Sequence, residues 1–227
     1  MVKKVVLGEI EVMLFVQRLF TDPTGYFVWV FLVVFSVCCH EYAHAQVALW
    51  QGDSTAADNG YLTINPFKQM GLASLIALLI IGITWGAVPV NPRRLRNKYS
   101  EALVAAAGPL MNLLLFILFS IAASVVYLKT TDFSIPSTAL RLFFTGGMLN
   151  IVLLVFNLLP VPPLDGWSIF TFIFPHVHKI NTELRNGIIF GLFILAFLSF
   201  GKLFALGADA VLFMVQIIVP LLKYFGM

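Results

Sequence analysis

Charge is scarce in this chain: Asp, Glu, Lys and Arg make up 11% of the 227 residues, against 60% for apolar residues. The mean hydropathy is +0.95. Soluble domains hold roughly 45–50% apolar residues, so this composition excludes an ordinary soluble fold and reads as a polytopic membrane protein. Cysteine is nearly absent too. Cys38 and Cys39 are adjacent within an apolar run, with no CxxC spacing, which excludes a thiolate metal knuckle or a redox pair and leaves core packing. No internal repeat, low-complexity tract or long linker divides the chain. The first twenty residues lack both a long apolar run and a small-residue cleavage site, so they do not read as a removable signal peptide. The small net charge of +3 is unevenly spread, with Arg93, Arg94, Arg96 and Lys98 in one polar segment between hydrophobic stretches. That clustering is a topology signal and not a nucleic-acid footprint.

What is abundant is long apolar sequence. A spanning helix needs about 20 predominantly apolar residues. Tyr26 to Trp50, Ala102 to Leu128 and Leu140 to Leu159 meet that length, and a helical hairpin over 187–224 closes the chain. Gly71 to Thr84 reads as a short span, a re-entrant segment or an interfacial helix, and 7–20, interrupted by Glu9, Glu11 and Arg18, is equally ambiguous. The expected fold is an all-α polytopic membrane protein with four to six transmembrane helices. Residues 1–24 form an amphipathic or interfacial segment, and 25–227 form a single domain with its core at about 26–170. GYLTIN, residues 60–65, alternates as a strand would, and Val88-Pro89-Val90 lies nearby, so a small membrane-associated β-hairpin or strand region is expected after the first span. Such an edge either docks an extended substrate or merely covers the site. The positive-inside bias puts 91–98, Lys179 and Arg185 on the cytoplasmic side, with Asp165 near that face.

Inside the first span stands His40-Glu41-Tyr42-Ala43-His44, an H-E-x-x-H pattern. The i, i+4 spacing puts both imidazoles on one helix face, where two nitrogens grip one zinc ion. Glu41 can then take a proton from a water at the open zinc position, whose pKa zinc lowers towards about 7. Three ionisable groups within five residues of a span are expensive to insert and mark a functional site.

A catalytic zinc takes three protein ligands. The extended pattern with a third histidine fails, because Ala45, Gln46, Val47, Ala48, Leu49 and Trp50 follow His44, and the next glutamate is Glu101. Asp53 and Asp58 lie just past the helix, and Asp132 belongs to the opposite face. Glu101, His176, His178 and Asp165 remain. Asp165 stands out because Asn157-Leu158-Leu159-Pro160-Val161-Pro162-Pro163-Leu164-Asp165-Gly166 sets a carboxylate in a proline-broken turn at a helix end. His176 and His178 form an H-x-H pair that loop solvation explains without a metal.

HEYAH at 40–44, AAAGPLMN at 105–112 and NLLPVPPLDG at 157–166, in this order and spacing, resemble the site-2 protease family of intramembrane metalloproteases, peptidase family M50. GDSTA at 52–56, LTINP at 62–66 and WGAVPVNPRRLRN at 85–97 are similar to its compact bacterial branch, which lacks PDZ and CBS domains. The resemblance runs from about residue 30 to 170. It implies His40, His44 and Asp165 as ligands of one zinc ion per chain, with Glu41 as the catalytic acid/base. It also implies a transmembrane protein or peptide as substrate, and a bacterial inner membrane with the active site towards the cytoplasm. Nucleic acid is not an expected partner, and the sequence is silent on oligomeric state. Asn112 and Asn157 are amides in membrane helices, able to serve an oxyanion, position substrate or bond neighbouring helices; the resemblance favours Asn157 for the first roles. Gly108-Pro109 lets two helices approach and loosens the backbone locally.

Serine and aspartyl intramembrane proteolysis are disfavoured, since neither G-x-S-G nor G-x-G-D occurs. A membrane metal transporter would also place His and carboxylates in spans, but it has no use for a Glu beside zinc-bound water and needs more ligands along a path.

Overall fold

The computed structural model describes residues 15–129, 138–179 and 181–225. Its longer helices are α1 (Pro23–Trp50), α2 (Gly71–Ile81), α3 (Ser100–Lys129), α4 (Thr138–Asn157), α5 (Asp165–Ile173), α6 (Thr182–Leu198) and α7 (Phe200–Tyr224). Four are long and apolar enough to cross a bilayer: α1, α3, α4 and Gly201–Tyr224 of α7. The chain is an integral membrane protein. α2 has 11 residues; it rises about 16 Å, too little for a hydrocarbon core of about 30 Å. Residues 1–14 of the expected interfacial segment lie outside the described residues. Its remainder forms short helical turns, with Phe15 packed on Tyr26 at 5.0 Å between ring centroids.

Local signals set the helix ends. Pro23 sits in the first turn of α1, and the Asp22 carboxylate accepts from Gly25 N at 2.9 Å, the usual cap for otherwise unpaired N–H groups. At the other end Gly52 takes φ +99°, with Gly52 N donating to Leu49 O and Asp53 N to Ala48 O. This paired Schellman closure turns the chain sharply off the helix and delivers Asp53 beside it.

α3 is the hub, packing on α4, α1, α7 and α5, while α7 lies mainly against α4 and α3. Lipid supplies no hydrophobic drive between helices, so close packing of small residues does more of the work. Ser120, Ala123 and Ser124 of α3 are buried with Gly146 and Gly147 of α4. The apolar core joins Leu32, Val33, Val37 and Cys38 of α1 to Met70, Leu78 and Leu149.

The expected strand region is not formed: no strand occurs among the described residues. The carbonyls of Tyr61 and Thr63, which a neighbouring strand would have taken, accept instead from Gln69 Nε2 at 2.8 and 2.7 Å. Asn65 then caps the turn Pro66–Gln69, ending the stretch after a few residues. Toward residues 83–91, Ala87 N donates to Gln69 O, a lone bond that starts no ladder. Alternation was present without a partner edge, and a side-chain amide won the backbone groups.

Candidate metal centre

The straight helix of α1 places His40 and His44 one above the other, with Nε2 atoms 3.0 Å apart and rings nearly perpendicular at 79°. Asp165, the first residue of α5, comes from the far side. Its Oδ2 lies 3.1 Å from His40 Nε2 and its Oδ1 3.3 Å from His44 Nε2. Among the described residues these three form a group with all ligand atoms within 4.8 Å of one another. Glu101 and His176 are exposed and do not belong to it. The His178 side chain lies outside the described residues.

The outer nitrogens decide the state of the inner ones. His44 Nδ1 is 2.7 Å from Val104 O. A peptide carbonyl only accepts, so this nitrogen carries the hydrogen and Nε2 is left with a lone pair. His40 Nδ1 donates to Asn112 Oδ1 at 2.7 Å, with the same result. With both imidazoles neutral, two nitrogen lone pairs and a carboxylate face one another. Asp165 Oδ2 is buried and has no hydrogen-bond partner. Such a set needs positive charge at its centre, and neutral nitrogens with one carboxylate suit a zinc ion that keeps a fourth position open. The residues fit the metal.

α3 must pass very close for this to form. A Cβ on Gly108 would collide with His40 Nε2 and His44 Nε2. Pro109, next to it, has no N–H for the carbonyl of Ala105 and loosens the turn holding Val104, whose carbonyl reaches His44.

Glu41 is buried beside its histidine neighbours, outside the three-ligand group. Gly86 lies against it so tightly that a Cβ there would be 2.5 Å from Glu41 Oε1. The segment bearing Gly86 is held at several points. Ser74 Oγ bonds Trp85 N at 2.9 Å and Trp85 O at 2.6 Å, Ala87 N reaches Gln69, and Asn91 N donates to Asp53 Oδ2 at 2.6 Å.

Of the two asparagines singled out from sequence, Asn112 is fully buried behind His40, on the side away from the converging atoms. Asn157 is half-buried at the end of α4 and donates to Leu153 O of its own helix at 3.1 Å. Sequence reasoning passed over Asn150, which accepts from Asn112 Nδ2 at 2.9 Å, and also Ser36 and Gly86. Asn150 carried the signal that drew attention to the other two, a lone amide within an apolar helix.

Fold and site together define a helical membrane protein with a cluster of two buried histidines and a half-buried aspartate that could hold a metal ion. The sequence profile of peptidase family M50 matches residues 27–200, and the chain belongs to that family. It is 40% identical over 144 residues to "Putative zinc metalloprotease YwhC" of Bacillus subtilis, covering 62% of this chain and 66% of that protein. It is 36% identical over 162 residues to "Putative zinc metalloprotease Rip2" of Mycolicibacterium smegmatis, covering 64% and 58% respectively. The Mycobacterium tuberculosis protein of the same name is 35% identical over 140 residues, 59% of this chain and 52% of that one. The matched parts thus span between half and just under two thirds of these relatives. No solved structure matches the chain.

Proposed function

We propose that this chain carries the catalytic core of an intramembrane zinc metalloprotease, with one zinc ion held by His40, His44 and Asp165 and with Glu41 as acid/base. One observation carries the reading: two imidazole nitrogens and a carboxylate oxygen without a hydrogen-bond partner converge beside a second, buried carboxylate that is not part of the set. Zinc, when bound, supplies Lewis acidity, drawing the pKa of water towards about 7 and polarising a carbonyl. Glu41 then takes the proton from the attacking water and hands it to the departing amine. Water adds directly to the scissile carbonyl carbon and no acyl-enzyme forms. Asn157, half-buried at the end of α4, has a second amide hydrogen with which to hold a substrate backbone carbonyl.

The substrate class follows from the surroundings. A site set between the membrane-crossing helices α1 and α3 receives a transmembrane or membrane-associated polypeptide, unwound where it is cut. Arg96 N donates to Gln51 O at 2.9 Å, and Ser100 Oγ to Gln51 Oε1 at 2.9 Å. The basic segment is thereby tied to the end of α1 nearest His44, which supports a site opening towards the cytoplasmic face of a bacterial membrane.

The test is cleavage of a model single-span substrate by the purified chain in detergent, with bound zinc quantified. Cleavage by wild type alone, zinc retained in Glu41→Gln and weakened in Asp165→Asn, is the expected result. Unchanged cleavage by a zinc-loaded Glu41→Gln protein would overturn the mechanism.

A further inference from the structure

Both histidines owe their Nδ1–H form to a peptide carbonyl, but only His44 meets its carbonyl directly. His40 meets a side-chain amide, and an amide can present either its oxygen or its nitrogen. Its orientation must be set from elsewhere. Asn112 Nδ2 lies 2.9 Å from Asn150 Oδ1, and Asn150 Nδ2 lies 2.9 Å from both Gly146 O and Ser36 Oγ. The Gly146 carbonyl can only accept, so the Asn150 atom facing it is nitrogen. That turns the Asn150 oxygen towards Asn112, which answers with nitrogen and turns its own oxygen towards His40. His40 must then hold its hydrogen on Nδ1 and aim a bare Nε2 at the metal position. Reversing either amide would set N–H against N–H or oxygen against oxygen. Ser36, Asn112 and Asn150 are all fully buried, where a mismatched group has no solvent to turn to.

We propose that Asn150, held by Ser36 and the Gly146 carbonyl, is a positioning residue for the metal centre: it fixes the Asn112 amide and through it the tautomer of His40. It touches neither metal nor substrate. The inference deepens the zinc reading and rests on it for its role, yet its first test needs no zinc.

That test uses the full chain in detergent, metal-free and 15N-labelled at its 4 histidines. Wild type is expected to keep a hydrogen on Nδ1 of both His40 and His44, whether or not Nε2 also takes a proton in the absence of metal. In Asn150→Leu, His40 becomes a mixture with the Nε2–H form, while His44, anchored on Val104, does not change. A His40 that keeps its Nδ1 hydrogen in full in Asn150→Leu overturns the proposal. Should that variant fail to fold, Asn150→Asp, which still presents an oxygen to Asn112, must retain the His40 Nδ1 hydrogen, and its loss there also overturns it. Chelator competition supplies the second readout. Asn150→Leu and Asn112→Leu should each weaken zinc binding about 10- to 100-fold, as outer partners of metal-bound histidines do. The double variant should bind no worse than Asn112→Leu, since Asn150 acts through Asn112; additive losses would reduce it to a bond between helices. A wild type that takes up no zinc defeats the function proposed above and leaves the tautomer result to be judged separately.

Discussion

Asp53 and Asp165 are both withdrawn from solvent, and the protein treats them in opposite ways. Asp53 accepts from Thr55 N at 3.0 Å, Thr55 Oγ1 at 2.5 Å and Asn91 N at 2.6 Å. Burial works against its charge, but these donors, with Arg94 nearby, outweigh that cost and hold the carboxyl below its usual range. Asp165 has an oxygen with no hydrogen-bond partner and two imidazole nitrogens in front of it. A satisfied carboxylate is a fastening, and here it joins the end of α1 to the segment lying over Glu41. A carboxylate oxygen buried without donors beside two imidazoles suits a metal ligand, the role proposed for Asp165.

Substitutions can sharpen this contrast or break it. The largest effects belong to the unsatisfied side. Asp165→Asn should weaken zinc binding by more than about 100-fold, beyond the loss typical of outer-shell partners, as read by chelator competition. Glu41→Gln should retain zinc yet lose about 10²–10⁴-fold in cleavage rate, the range of a lost general acid/base. Next comes Gly108→Ala, whose methyl group must push α3 away from both histidines. Overpacking of this kind costs about 1–3 kcal/mol. It should appear as weakened zinc binding with unchanged helical circular dichroism.

Asp53→Asn should cost about 1–3 kcal/mol by leaving one donor unanswered, seen as a lower denaturation midpoint at neutral pH with zinc stoichiometry intact. Because the Asp53 pKa is depressed on folding, its stabilisation is complete above the ordinary carboxylate range and disappears as pH falls through the lowered value. Asp53→Asn should therefore flatten the acid limb of the stability profile. If it instead removed zinc as Asp165→Asn does, the distinction between the two carboxylates would fail. The smallest effect belongs to Asp22, whose carboxyl is lowered mainly by its bond with Arg141 at an exposed position. Asp22→Asn should shift the midpoint slightly at low salt and not measurably at high salt.

The parts legible in sequence were those that a single element encodes. The i, i+4 histidines needed only a helix to meet, and the apolar runs needed only their length. Asp165 emerged because prolines mark where a helix stops, and the family resemblance pointed to the same residue. What sequence did not reveal depended on three elements meeting. Asn150 acquires meaning only when α4 lies against both α1 and α3, and Gly86 only when residues 83–91 fold back over α1. GYLTIN misled for the same reason: its alternation is local, whereas a strand needs an edge to pair with, and Gln69 reached those carbonyls first.

The ligand set also has a mechanical side. His44 and Asp165 lie about 120 residues apart, so an ion gripping both closes a loop that costs an unfolded chain much of its freedom to re-form. Held by the proposed ligands, the metal would be a rivet driven through the first and fifth helices as well as a reagent. Because it binds only where those helices already meet, its affinity counts towards the assembled fold. Chelation should accordingly shorten the time the bundle survives heating, even in a Glu41→Gln protein that cuts nothing.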